Sequence, residues 1–175
     1  MINARAAALG AAILTAAAMR LLPHPPNFSP IAALALFAGA HVASRPLSLA
    51  APIAALLLSD LVLGFYPELW AVYLSVALVT CLGWLLSSRR SAGRVALAAV
   101  AGSILFFLAT NFAVWAMMDF YPKTAAGLAA CYAAAIPFFQ NSLAGDLFFT
   151  AVLFGGFALA ERALPAIRAQ RLSVA

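Results

Sequence analysis

The side chains able to do chemistry in this sequence are few, and most sit inside greasy runs. The chain has 175 residues, 66% of them hydrophobic and only 9% charged. Asp60, Asn111 and Asp146 nevertheless fall within apolar stretches, and Asp119, Asn141 and His24 fall near their ends. A carboxylate or amide in such a place is costly, so it faces a partner, a cavity or a pathway. Asn27, Tyr66, Glu68 and Tyr121 occupy the short connections between runs. These groups suit hydrogen bonding and charge pairing with a polar solute. They do not suit covalent catalysis. The chain has no GxSxG elbow, no HExxH and no phosphate-binding glycine loop. "LAGD" at 143–146 differs from the GxGD of intramembrane aspartyl proteases at Leu143. The expectation is a protein that is not an enzyme.

Each polar residue has a plainer alternative. Asp60 follows Ser59 and could cap or bond a neighbouring helix. Asn111 could hold two helices together, and Asp146 could pair with Arg20. His24 could be part of a connector. Cys81 and Cys131 are far apart with no CxxC spacing, which argues against a disulfide or a zinc site. Cys131, beside Tyr132, could reach a ligand and hold a soft metal centre as a thiolate. It could equally be a small apolar core residue, the reading that fits Cys81. Trp115 lies one helical turn from Asn111 on the same face and is placed to stack on a ring. Most other aromatics read as an interfacial belt.

So apolar a chain, with no room for a separate soluble domain, reads as one all-α membrane domain over 1–175. Six spans can be drawn, at 6–22, 30–44, 47–63, 68–86, 95–118 and 142–163. The first could pass for a signal peptide, but reads as an uncleaved helix. The second is short and reads as a helix that begins inside the protein. The apolar segment 125–139 is interrupted by Pro137 and reads as a re-entrant or surface-lying helix capping the outer face. A seventh span is the alternative.

Basic residues orient the bundle. With the N-terminus in the cytoplasm, Arg5, Arg45, Arg89, Arg90, Arg94, Arg162, Arg168 and Arg171 lie inside. Only Arg20 and Lys123 lie outside. This is a positive-inside pattern with both termini cytoplasmic, so the net charge of +5 is an orientation signal rather than a nucleic-acid footprint. The polar residues all fall in the outer half of this arrangement. The outer connections also carry "PHPPNFSP", whose prolines make a stiff loop, and two Phe-Tyr-Pro turns in "GFYPELWA" and "DFYPKTAA".

The stretches "LLPHPPNFSPIAALALFAGA", "LLLSDLVLGFYPELWAVYLS" and "FFLATNFAVWAMMDFYPKTAAGLAACYAAAIPFFQNSLAGDLFFTAVLFGG" resemble a little-characterised family of small bacterial integral membrane proteins labelled as transport proteins. The arrangement is similar, in fold more than in sequence, to the S components of energy-coupling-factor vitamin transporters. That resemblance implies uptake of a small vitamin-like solute through the bacterial inner membrane, bound from the periplasm without a resident cofactor. It implies cobalamin as the leading substrate, because a solitary cobalamin transporter of this class uses a cysteine thiolate on cobalt. It also implies an energy-coupling membrane subunit docking on an AxxxA face, here Ala8, Ala12 and Ala16. The expected solute site is His24, Asn27, Asp60, Tyr66, Asn111, Trp115, Asp119, Tyr121, Cys131, Asn141 and Asp146. The alternative from another class is a structural or assembly subunit whose polar residues only join helices.

Overall fold

The computed structural model describes residues 4–23 and 25–168. Among them there is no strand. The helices are α1 (Ala4–Met19), α2 (Ile31–His41), α3 (Arg45–Leu63), α4 (Leu69–Trp84), α5 (Ala92–Met117), α6 (Ala125–Thr150) and α7 (Gly156–Ala163). One turn of π-helix, Ala151–Gly155, joins α6 to α7 without a break. Three helices are long and apolar enough to cross a membrane: Arg45–Leu63, Ala92–Met117 and the continuous Ala125–Ala163.

At its centre stands α2, whose residues are apolar on every side, so no face prefers solvent or lipid. Every residue from Ile31 to Ala40 is buried. At 11 residues it is about 16 Å long. It meets α4 where Gly39 and Gly83 touch. A Cβ on Gly39 would lie 2.1 Å from the Thr80 carbonyl oxygen, and one on Gly83 would lie 2.5 Å from that of Leu36. Small residues let the two backbones approach this closely. Leu36, Leu56, Val76 and Val79 fill the core around the crossing.

Segment 125–139 is not a separate cap. It is the first half of a 39-residue helix, about 58 Å long. Pro137 lies inside α6, where neighbouring helices tolerate a lost backbone bond. The segment runs beside the second half of α5. Tyr132 Oη donates to the Leu108 carbonyl at 2.7 Å, and the rings of Phe107 and Phe139 pack at a tilt with centres 4.8 Å apart.

The two ends of the bundle differ in composition. One end carries the proline-rich connections 21–30, 64–68 and 118–124. There Trp70 Nε1 donates to Met117 Sδ at 2.8 Å, tying the start of α4 to the end of α5. The other end carries the arginines. There Arg5 pairs with Glu161, joining the first helix to the last, and also donates to the Ile167 carbonyl at 2.8 Å. Arg45 lies 5.2 Å from the centre of the Trp84 ring.

Ala8, Ala12 and Ala16 do not form a free docking face. Ala16 is buried with Ile13, Leu34, Ala38 and Ala55, while Ala8 and Ala12 pack against Leu9, Phe37 and Phe157. Small side chains there let α1 approach the chain's own core.

Candidate functional site

A cavity of about 760 Å³ lies at the proline end of the bundle. Two helices form nearly half of its wall, each through one stripe. On α5 the stripe is Ser103, Phe106, Phe107, Thr110, Asn111 and Val114. On α6 it is Ala135, Phe138, Phe139, Ser142 and Asp146. Both follow the three-or-four-residue step that keeps side chains on one helix face. Arg20, Asn27, Ser29, Tyr66 and Glu68 close it from the connections and helix ends.

The proline-rich loop is seated on α6. Asn141 Nδ2 donates to the Pro26 carbonyl at 3.1 Å. The Phe28 ring lies 5.8 Å from that of Phe148 and 5.4 Å from that of Phe149. A Cβ on Gly145 would sit 3.1 Å from Phe28 Cα, so the glycine of "LAGD" makes room for this loop. Asn27 takes φ +61°, a left-handed conformation that asparagine tolerates better than most residues.

Asp60 lies behind the cavity wall and is fully engaged. Arg20 Nη1 meets Asp60 Oδ1 at 2.5 Å, and Tyr73 Oη donates to Oδ2 at 3.0 Å. Arg20 also donates to the Ser59 hydroxyl. Asp60 is 1% exposed, so this pair is a buried ion pair with hydrogen bonds on both carboxylate oxygens. Arg20 thus belongs to Asp60 and not to Asp146.

Asp146 is buried too, with a much poorer set of partners. Its Oδ2 accepts from Ser103 Oγ at 2.6 Å. Ser103 has one proton, and its oxygen also lies 3.0 Å from the Ala99 carbonyl, so the two acceptors share it. Glu68 Oε2 and Ser29 Oγ are buried without a hydrogen-bond partner. Burial, reinforced by the nearby Asp60 carboxylate, holds the Tyr66 hydroxyl above its ordinary range, so at neutral pH it is a phenol able to donate. Asn111 Nδ2 donates to the Phe107 carbonyl at 2.8 Å.

Of the residues expected from sequence, Asn27, Tyr66, Asn111 and Asp146 meet at the cavity. Asn141 holds the loop that closes it. Trp115 points elsewhere: its indole N–H donates to the Pro122 carbonyl at 2.9 Å and braces the turn from α5 to α6. Asp119 and Tyr121 lie in that turn and do not line the cavity. Cys131 is 2% exposed, with Sγ 3.5 Å from the Asn111 carbonyl, and faces α5 instead. His24 lies outside the described residues. Ser103, Thr110, Ser142 and the four phenylalanines were not expected. Their signal in the sequence is the stripe they share with Asn111 and Asp146.

Among the described residues, no three His, Cys, Asp or Glu side chains converge into a group that could hold a metal ion. No curated protein and no solved structure matches the chain. A family profile described only as a family of unknown function, DUF6580, matches residues 1–167, and the chain belongs to that family.

Proposed function

We propose that this chain is a multi-pass protein of the bacterial inner membrane that binds a small solute at its proline end as a step in uptake. In this reading the proline end faces the periplasm and the arginine end the cytoplasm. All six helical rods then cross, with α6 and α7 acting as one. The short α2 completes its crossing together with the proline-rich loop before it. The carrying observation is the cavity itself. Its roughly 760 Å³ lies within the usual range for small-molecule sites, about 300–1,000 Å³. Its wall combines aromatic area with a few polar groups, which is how such sites achieve affinity and orientation together.

The position of Cys131 bears on the substrate. Cobalamin was suggested through a cysteine thiolate, and this thiol is buried outside the cavity wall. A smaller solute is the better fit. An energy-coupling partner, if one is used, would need a surface other than the alanine face of α1. The Arg20–Asp60–Tyr73 cluster favours a structural role for those three residues alone, as glue between α1, α3 and α4.

Native mass spectrometry of the protein released from nanodiscs tests the reading. A bound small molecule is expected on the wild type and not on Ala135→Trp, which fills the cavity. A wild type free of any adduct, or the same adduct on both proteins, would overturn it.

A further inference from the structure

The charges around the cavity do not balance, and the imbalance specifies a ligand class. Arg20 is the only cationic side chain on the wall among the described residues, and it is held by Asp60. Glu68 and Asp146 are left over. Glu68 has a buried carboxylate oxygen with no partner, and Asp146, 6% exposed, has only a shared serine hydroxyl. The other buried atom on this wall without a partner, Ser29 Oγ, can accept or donate. Burying acceptors without donors is costly, and two unmatched carboxylates beside one cavity make the cost larger. Phe106, Phe107, Phe138 and Phe139 line the same space, and ring faces attract cations. A metal ion is disfavoured because, among the described residues, no three His, Cys, Asp or Glu side chains converge.

From the unmatched Glu68 and Asp146 beside four phenylalanine rings, we propose that this cavity selects an organic cation: an ammonium group carried on an apolar or aromatic body. The inference rests on the reading of the cavity as a solute site and adds the charge of the solute. The ammonium sits against Asp146 with its body between the α5 and α6 rings, and Glu68 attracts it from the rim. An anionic ligand would meet two carboxylates and an arginine already neutralised.

The test uses three probes that share one phenyl body: phenethylamine, 2-phenylethanol and 3-phenylpropionate. Binding to the full chain in nanodiscs is measured by isothermal titration calorimetry for wild type, Asp146→Asn, Glu68→Gln and Ala135→Trp. The expected order is phenethylamine well above phenylethanol, with phenylpropionate weakest. Asp146→Asn is expected to weaken phenethylamine by at least about tenfold, the scale of a lost buried charge partner, and to leave phenylethanol unchanged. Glu68→Gln gives a smaller loss in the same direction, and it keeps the test open should Asp146→Asn fold poorly. Equal or better binding of phenylpropionate or phenylethanol, abolished by Ala135→Trp, would overturn the charge preference while leaving the site in place. No binding of any probe at millimolar concentration would overturn both.

Discussion

The two ends of this bundle use polar residues in opposite ways. At the arginine end, a groove of about 950 Å³ is lined by Arg90, Arg162 and Arg168 over an apolar floor. Two of these cations are spoken for by backbone. Arg168 Nε donates to the Glu161 carbonyl at 2.7 Å and Nη2 to that of Arg162 at 2.8 Å, while Arg90 Nη2 donates to that of Ser87 at 3.1 Å. Basic side chains on the carbonyls of a helix C-terminus complement its dipole and finish the helix. Glu161, the one carboxylate of this groove, is occupied by Arg5. At the proline end, Arg20 and Asp60 match each other, while Glu68 and Asp146 have no cationic partner. Both ends have space and each has a buried hydroxyl without a partner, Ser29 at the proline end and Thr150 at the arginine end, but among the described residues only the proline cavity is lined by carboxylates that no cation pairs. The difference separates polar residues that complete the fold from those that await a ligand.

Three substitutions sharpen that contrast, in decreasing order of effect. The Gly39–Gly83 crossing lies between the two ends and supports both. Gly39→Val puts side-chain atoms where the Thr80 carbonyl already is, and is expected to abolish a monodisperse folded peak in size-exclusion chromatography. A normal peak would show that α2 can shift away without loss. Next, Arg20→Met strands the buried Asp60 charge. A broken buried pair costs about 3–5 kcal/mol, a loss to be read from the unfolding midpoint in detergent. The double variant Arg20→Met, Asp60→Leu should recover much of it, because no charge is left unpaired. If the single variant is as stable as wild type, the pair is not structural glue. Smallest is Glu161→Gln at the arginine end. Its pair with Arg5 is only partly buried, with side chains 17% and 27% exposed. The expected stability loss is about 1 kcal/mol or less, with phenethylamine binding unchanged. A change in binding there would dissolve the distinction between the ends.

Much of this was legible before the structure, and the misses have specific causes. An all-α class followed from composition alone. Asp60, Asn111 and Asp146 stood out because polarity is rare in apolar runs, and each proved to have a distinct environment. Which environment each would have was not legible. Arg20 was expected opposite Asp146, and only the packing of α1 on α3 assigned it to Asp60. The cap at 125–139 was misjudged because Pro137 marks a helix end in water, whereas packing against α5 carries the helix through it here. The alanine face of α1 had the spacing for a partner, but spacing does not say whose helix fills it; α2 does. Trp115 was misplaced because a shared face with Asn111 does not specify rotamer, and its N–H found the Pro122 carbonyl. The phenylalanine stripe went unnoticed because aromatic residues in a membrane chain are expected anywhere.

The central claim is that the α5 stripe faces a cavity reached from the proline side of the membrane. In a background with Cys81 and Cys131 replaced by alanine, single cysteines are placed at Thr110, Leu108 and Ser88. Thr110 lines the cavity, Leu108 is 49% exposed on the same helix and does not line the cavity, and Ser88 lies in the arginine-rich loop. With a membrane-impermeant thiol reagent added to intact spheroplasts, Thr110→Cys is expected to label. Leu108→Cys and Ser88→Cys should stay unlabelled, and Ser88→Cys should label only in inside-out vesicles. Labelling of Thr110→Cys from the Ser88 side alone, or from neither side, would contradict an outward-facing cavity.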